Sequence, residues 1–275
     1  MRALIATDLS EASLAAVDAV TSCNPVDFSG IVLVHAVDLD LYTAGGTVPA
    51  VLELAEESLG SIAEDLRAAG FEVEVRAEVG PAVEVIERVA AEENADLVVM
   101  SNLGKGAVTG RLLGSTAERL ATAGKLPVLI ERVREDAGKW CRIADHHPFG
   151  KVLIGADLTD SLQGQLVVVG NLPGLGEVRV VHVTDPGTDA DLVTGELAAQ
   201  ASHRLPGVRV ETALRQGTDK AEELLAEAAE WGASVIVVSP RSHGILHRAL
   251  WGSTARTVAL QSLVPVLFVP LGDGV

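Results

Sequence analysis

Short apolar runs alternate with stretches of helical spacing along the whole chain. The run RALIAT (2–7) predicts a first strand, and 10–22 has the spacing of a helix with Ser10 as its N-cap. IVLVHAV (31–37) reads as a buried strand, and 51–70 as a long amphipathic helix closed by glycine. FEVEVRAEV (71–79) alternates with period two, as an edge strand with one wet face does. A helix over 81–94, with Pro81 in its first turn, leads to the strand ADLVVMS (95–101). A glycine-rich stretch follows, then a helix over 115–124 and a strand over 127–133.

The pattern then repeats. KVLIGADLT (151–159) matches RALIATDLS, with Asp157 standing 149 residues after Asp8. VRVVHVTD (178–185) matches IVLVHAVD, and 208–239 repeats the strand, glycine, helix and strand of the first copy. GSTA occurs at 114–117 and again at 252–255, and VPVLFVP (264–270) matches LPVLIE (126–131). Each copy alternates strand and helix, which predicts a parallel sheet covered on both faces. The expected fold is α/β: two tandem, open, parallel five-stranded sheets of Rossmann-like type. The expected domains are 1–136 and 148–275, joined by a linker at 137–147 within the polar, irregular passage 134–150.

Charge and composition narrow the partners. A net charge of −17 disfavours nucleic acid and anionic membranes as partners, because both are bound through basic clusters. It leaves open a small anion held by backbone N–H groups. Cys23 and Cys141 form no CxxC pair, which fits a reducing cytoplasm. The N-terminus turns acidic too soon for a signal peptide, and no apolar run approaches the length of a membrane span.

Candidate chemistry falls at the carboxyl ends of the strands, where open parallel sheets bind ligands. SNLGKGAVTGRLLGST (101–116) stands there. It is not a Walker A loop, and its near match to GxGxxG (Gly104, Gly106, Gly110) has one gap too long. Glycines would let a backbone approach phosphate, and the helix opened by Gly114, Ser115 and Thr116 carries roughly half a positive charge at its start. Equally, Ser115 and Glu118 have capping-box spacing, which alone would explain the serine.

Both copies resemble the universal stress protein (UspA-like) family. The likeness rests on TDLS and ADLT after the first strand, VHAVD and VHVTD after the second, the G-x2-G-x9-G-[S/T] loop after the fourth, and PVLIE and PVLFV in the fifth. The resemblance implies a tandem member with an adenine nucleotide alpha hydrolase-like fold. It implies binding of ATP with Mg2+, or of another adenine nucleotide, where the loop is intact. In the first copy Asp8, with Ala6 and Thr7 before it, matches the adenine-side aspartate, and Ala36 matches a position lining the base. Met100 precedes the loop, and Ser101, Leu103, Gly104, Gly114, Ser115 and Thr116 fall on it, Ser101 standing where glycine is usual. In the second copy Asp157 and Val183 match the base side, and Ser239, Arg241, Ser242, Gly252, Ser253 and Thr254 the loop. There both early glycines are serine, which would be costly if φ must be positive, and Pro240 lacks a backbone donor. Arg241, His243 and Arg248 offer compensating charge. Nucleotide is therefore expected mainly in the first copy, and weakly or not at all in the second. The resemblance also implies that the two domains pair within the chain through their last strands, with a further homodimer.

Other conspicuous residues have plainer readings. His35 and His182 lie inside apolar strands and are read as hydrogen-bonded core residues. Asp145, His146 and His147 near Cys141 fit no standard zinc spacing. Trp140, Trp231 and Trp251 are read as packing anchors, and Glu53, Glu56, Glu57 and Glu64 as a solvated helix face. No catalytic residue and no metal ligand is assigned. The expectation is a cytoplasmic, nucleotide-dependent stress-response regulator that signals to an unidentified protein partner. The alternatives are a slow ATPase or adenylate-handling enzyme, and a dimerisation module that binds no nucleotide.

Overall fold

The computed structural model describes residues 1–38, 47–104, 113–123, 125–144, 147–157, 161–185, 190–240 and 252–270. The chain divides into two units. The first is Met1–Leu120 with Val128–Ile143, and the second is Ala144–Val275 with Ala121–Pro127.

The first unit holds β1 (Arg2–Ala6), α1 (Glu11–Leu14), α2 (Val17–Thr21), β2 (Gly30–Val37), α3 (Val48–Ala68), β3 (Val73–Val79), α4 (Ala82–Glu92), β4 (Leu97–Ser101), α5 (Ser115–Ala123), β5 (Val128–Glu131), β6 (Val133–Asp136) and β7 (Lys139–Arg142). Its parallel strands run in the order β3-β2-β1-β4-β5. The second unit holds β8 (Lys151–Ala156), α6 (Ser161–Gly170), β9 (Glu177–Thr184), α7 (Ala190–Arg204), β10 (Arg209–Gln216), α8 (Lys220–Trp231), β11 (Val235–Val238), α9 (Ser253–Gln261) and β12 (Val266–Phe268). Its strands repeat that order as β10-β9-β8-β11-β12.

Burial follows the sequence pattern. The central strands β1, β2 and β4 are buried nearly throughout, because helices cover both faces of the sheet. The edge strand β3 keeps one wet face, where Arg76 pairs with Glu78 of the same strand and with Glu92 and Glu93 at the end of α4. The long helix α3 turns Val51, Ala55, Leu59, Ala63 and Leu66 inward and leaves Glu53, Glu56, Glu57 and Glu64 exposed. Helix α8 begins on an Asp219 cap and ends on Gly232 at φ 73°, a left-handed position that glycine takes without strain.

Two local expectations need correction. The single helix expected over 10–22 is divided into α1 and α2. Ala16 N–H bonds to Ser13 O and Ala19 N–H to Ala16 O, so the ladder tightens for one turn to three-residue spacing. The passage 134–150 is not irregular throughout. Residues 133–142 form an antiparallel hairpin, β6–β7, closed by the two-residue turn Ala137–Gly138 with φ of 50° and 79°. Positive φ at both central residues is the turn geometry that matches strand twist. A strand therefore occupies part of the expected linker.

The hairpin is held by a buried charge pair. Glu131, at the end of β5, is 0% exposed, and Arg142 of β7 approaches it at 3.4 Å. That separation gives Coulomb attraction, but neither Glu131 Oε2 nor Arg142 Nε completes a hydrogen bond. Burial raises the Glu131 carboxyl above its ordinary range, and the arginine opposes the shift. Removing Arg142 takes from the buried Glu131 the stronger of its two neighbouring arginine charges, Arg132 being the weaker, so Arg142→Met is expected to lower stability by about 3 kcal/mol in denaturant unfolding. Adding Glu131→Leu to that variant is expected to recover most of the loss.

Candidate functional site

The strand order reverses between β1 and β4, so their carboxyl ends open a crevice. A cavity of about 390 Å³ occupies it. Each residue picked out in the first copy lines this cavity: Ala6, Thr7, Asp8, Ala36, Met100, Ser101, Leu103, Gly104, Gly114, Ser115 and Thr116. Ser13, Val34, Ala82, Ile86, Leu113 and Ala117 complete the wall. Ser13, Val34, Ala82 and Ile86 come from helices and a strand that approach only in three dimensions, whereas Leu113 and Ala117 flank Gly114, Ser115 and Thr116 in the chain.

The turn after β1 is built from local hydrogen bonds. Asp8 Oδ1 accepts from Ser10 N–H at 3.0 Å and from Ser10 Oγ at 2.5 Å. Ser10 Oγ in turn accepts from Ser13 N–H, capping α1. Thr7 Oγ1 and Ser13 Oγ lie 2.8 Å apart. Leu9 sits at φ 63°, a conformation leucine rarely adopts, immediately after Asp8, which lines the cavity. His35 Nδ1 donates to Thr7 O at 2.8 Å, tying β2 to the end of β1. His182 makes the same bond to Ala156 O at 2.8 Å in the second unit. A carbonyl only accepts, so both rings carry the proton on Nδ1.

The loop after β4 meets this turn at one point. A Cβ on Gly104 would lie 2.5 Å from Asp8 Oδ2. Gly104 is thus required by close approach, not by a left-handed φ. Ser101 and Ser239 also have ordinary φ: among the described non-glycine residues, only Leu9, Asn94 and Ala137 are left-handed. The expected backbone cost of serine at position 239 is therefore absent. Ser101 Oγ donates to Leu103 O and holds the loop closed.

Asn102, which the motif leaves unspecified, anchors the loop. It is 2% exposed; its N–H donates to Glu131 O at 2.9 Å, its Oδ1 accepts from Val133 N–H at 3.0 Å, and its carbonyl accepts from Gly114 N–H at 2.9 Å. Pro240 takes its place in the second unit and accepts from Gly252 N–H at 2.9 Å. The donor that proline lacks is one that Asn102 turns to β5, away from the cavity. Its loss does not thin the second cradle, contrary to expectation.

The capping-box reading of Ser115 also moves. Glu118 N–H bonds to Gly114 O at 2.9 Å, so Gly114 is the N-cap and Ser115 the first helical residue. Helix α9 likewise starts from Gly252 with no side-chain cap. A glycine N-cap offers no side-chain acceptor to the first-turn N–H groups, which border each cavity.

The second cavity, of about 340 Å³, collects Asp157, Val183, Ser239, Gly252, Ser253 and Thr254, joined by Ser161, Gln165, Lys220 and Leu224. Asp157 Oδ1 accepts from Ser161 Oγ at 2.5 Å, much as Asp8 accepts from Ser10. Arg241, Ser242, His243, Arg248 and Trp251 lie outside the described residues, as do Gly106, Gly110, Asp145 and His146. Trp140 packs on the cluster of Ala12, Ala15, Leu103 and Val133, so the hairpin backs the cavity loop. Lys151 and Arg179 lie over the ring of Trp231 at 5.3 and 4.8 Å. His147 Nδ1 accepts from Phe149 N–H at 3.1 Å. Among the described residues no helix is long and apolar enough to cross a membrane.

A family model described as the universal stress protein family matches residues 1–132 and 149–270. Universal stress proteins of two Mycobacterium tuberculosis strains are each 32% identical over 140 residues, covering 46% of this chain and 92% of theirs. The crystal structure of a universal stress protein from Archaeoglobus fulgidus is 25% identical, covers 99% of this chain and 97% of its own, and has a TM-score of 0.72. A universal stress protein crystallised in complex with cAMP is 28% identical over 47% of this chain and 95% of its own, at a TM-score of 0.39.

The contact at Gly104 yields a direct test. The Asp8 carboxylate is held by Ser10 and cannot swing aside freely. Gly104→Ala is expected to destabilise by about 1–3 kcal/mol in chemical denaturation. At Gly114 a Cβ meets only Asn102 O at an ordinary 3.6 Å, so Gly114→Ala is expected to cost less than about 1 kcal/mol.

Proposed function

The chain belongs to the universal stress protein family, and on that premise we propose that its first unit binds ATP with Mg2+ as a cytoplasmic, nucleotide-dependent regulator. The observation that carries this reading is the two-ended cavity. One wall is apolar, formed by Val34, Ala36, Ala82, Ile86 and Met100, and suits the faces of a purine. Asp8 stands beside it as an acceptor for an exocyclic amine. The other end is the start of α5, with Gly114, Ser115, Thr116 and Ala117 on the wall. Backbone N–H groups and the helix dipole favour phosphate there. The cavity volume of about 390 Å³ falls in the range of small-molecule sites.

This arrangement binds a net-negative ligand in a chain of net charge −17 without a basic cluster. The favourable field is local, made by backbone dipoles and not by side-chain charge. Bound nucleotide would bridge the β1 turn and the α5 start, and a partner protein would read that bridged state.

Thermal denaturation with and without MgATP tests the assignment. Nucleotide at about a hundred times its Kd is expected to stabilise the native chain by about 2.7 kcal/mol. Asp8→Ala is expected to weaken MgATP binding at least about tenfold, as loss of a charged acceptor does. An Asp8→Ala variant that is folded and stabilised by MgATP as the wild type is would overturn the assignment.

A further inference from the structure

We propose that the β6–β7 hairpin sets the nucleotide affinity of the first cavity from behind, with Trp140 as a positioning residue that clamps two of the cavity's walls together. The inference rests on the reading that this cavity binds MgATP, and adds how that binding is regulated. Ser13 of α1 and Leu103 of the loop after β4 both line the cavity. Behind them Ala12, Ala15, Leu103 and Val133 form one buried apolar cluster, and Trp140 of β7 packs against it. Leu103 thus meets ligand space and the hairpin at once. Helix α1 likewise gives Ser13 to the cavity wall and Ala12 to the cluster.

The hairpin also holds each wall by a polar contact. On the loop side, Asn102 Oδ1 accepts from the N–H of Val133, the first residue of β6, at 3.0 Å. Asn102 is buried and is not among the residues that line the cavity, so its amide is committed to the hairpin. Pro240, its counterpart in the second unit, has no side-chain acceptor to offer. On the helix side, Arg142 Nη1 donates to Asp18 O of α2 at 3.3 Å and to Ser22 Oγ at 3.4 Å. Trp140 therefore meets α1 and Arg142 meets α2, on either side of the tightened turn at Ala16. A turn of three-residue spacing within a helical run marks a hinge, and the hairpin spans it. The base of the hairpin is itself closed, since Ile143 N–H donates to Arg132 O at 2.8 Å.

These contacts make the coupling two-way. A nucleotide reaching from Asp8 to the start of α5 needs the β1 turn and the β4 loop held at one spacing, and the docked hairpin fixes both from outside. With the hairpin undocked, the two walls are free to separate and the cavity binds more weakly. By linkage, bound nucleotide favours the docked hairpin by the same factor. The outer part of the hairpin, with Arg134, Glu135, Asp136 and Lys139, is exposed. It is the surface element whose docking reports whether the cavity is filled.

The test is calorimetric titration of MgATP into the full chain and into Trp140→Ala, Trp140→Phe and Asn102→Ala. Trp140→Ala and Asn102→Ala are each expected to weaken binding about tenfold, and Trp140→Phe, which keeps a ring on the cluster, to stay within about threefold of the wild type. Asn102→Ala removes the bond to Val133 and keeps the loop's two backbone bonds. Lost stability alone does not change the affinity of a chain that is folded, so thermal denaturation of each variant separates positioning from unfolding. The wild type gives a readout that needs no variant. Saturating MgATP is expected to slow amide hydrogen exchange at Val133 and Ile143 about tenfold more than at Ala69, whose bond to Asp65 O closes the far end of α3. If the wild type binds MgATP and a folded Trp140→Ala binds it equally well, or if exchange slows no more at Val133 and Ile143 than at Ala69, the role of the hairpin is overturned and the ATP site stands. No binding by the wild type would overturn both.

Discussion

The Asp8 carboxylate lies against the bare α-carbon of Gly104, and the first cavity is arranged around that contact. It joins the turn after β1 to the loop after β4 at the place where the strand order reverses. Each side of the contact is braced from behind. Ser10, Ser13, Thr7 and His35 fix the turn through side-chain hydrogen bonds. Asn102 fixes the loop to β5, to the β6–β7 hairpin and to Gly114. A charged group and a helix start are thereby held at opposite ends of one apolar slot before any ligand arrives, and that preorganisation limits what binding must spend on ordering.

The duplicated unit reuses this frame with different contents. Strand order, the histidine bond between the first two strands and the glycine start of the last helix are common to both. Lys220 in the place of Ala82, and Gln165 buried in the wall, change the chemistry without changing the frame. Two of the substitutions that look damaging in the sequence, at positions 239 and 240, fall on backbone atoms that do not serve the cavity. Ser239 needs no left-handed φ, and Pro240 lacks only a donor that faces the sheet in the first unit.

Much of this was legible in the sequence, for identifiable reasons. Parallel strands buried on both faces must be continuously apolar, so the strands and their repetition stand out in the residue pattern. Asp8, Ser101, Gly104 and Gly114 sit at fixed chain offsets, so a motif captures them. The motif does not convey why a residue is needed. It marks Gly104 as glycine, whereas the reason is a carboxylate arriving from another strand. Asn102 does not stand out in the sequence because its role is spread over Glu131, Val133 and Gly114, which meet only in the fold. The hairpin is hidden in the sequence because Ala137, a residue that seldom takes positive φ, occupies a turn position more often filled by asparagine, aspartate or glycine.

The most direct measurement is a calorimetric titration of the full chain with MgATP, run in parallel on the wild type and Gly104→Val. The account predicts one saturable nucleotide site per chain in the wild type and its loss in the variant, because a side chain at 104 drives into Asp8. Equal binding by a folded Gly104→Val variant, or none by the wild type, would contradict the claim that the first cavity is an adenine-nucleotide site.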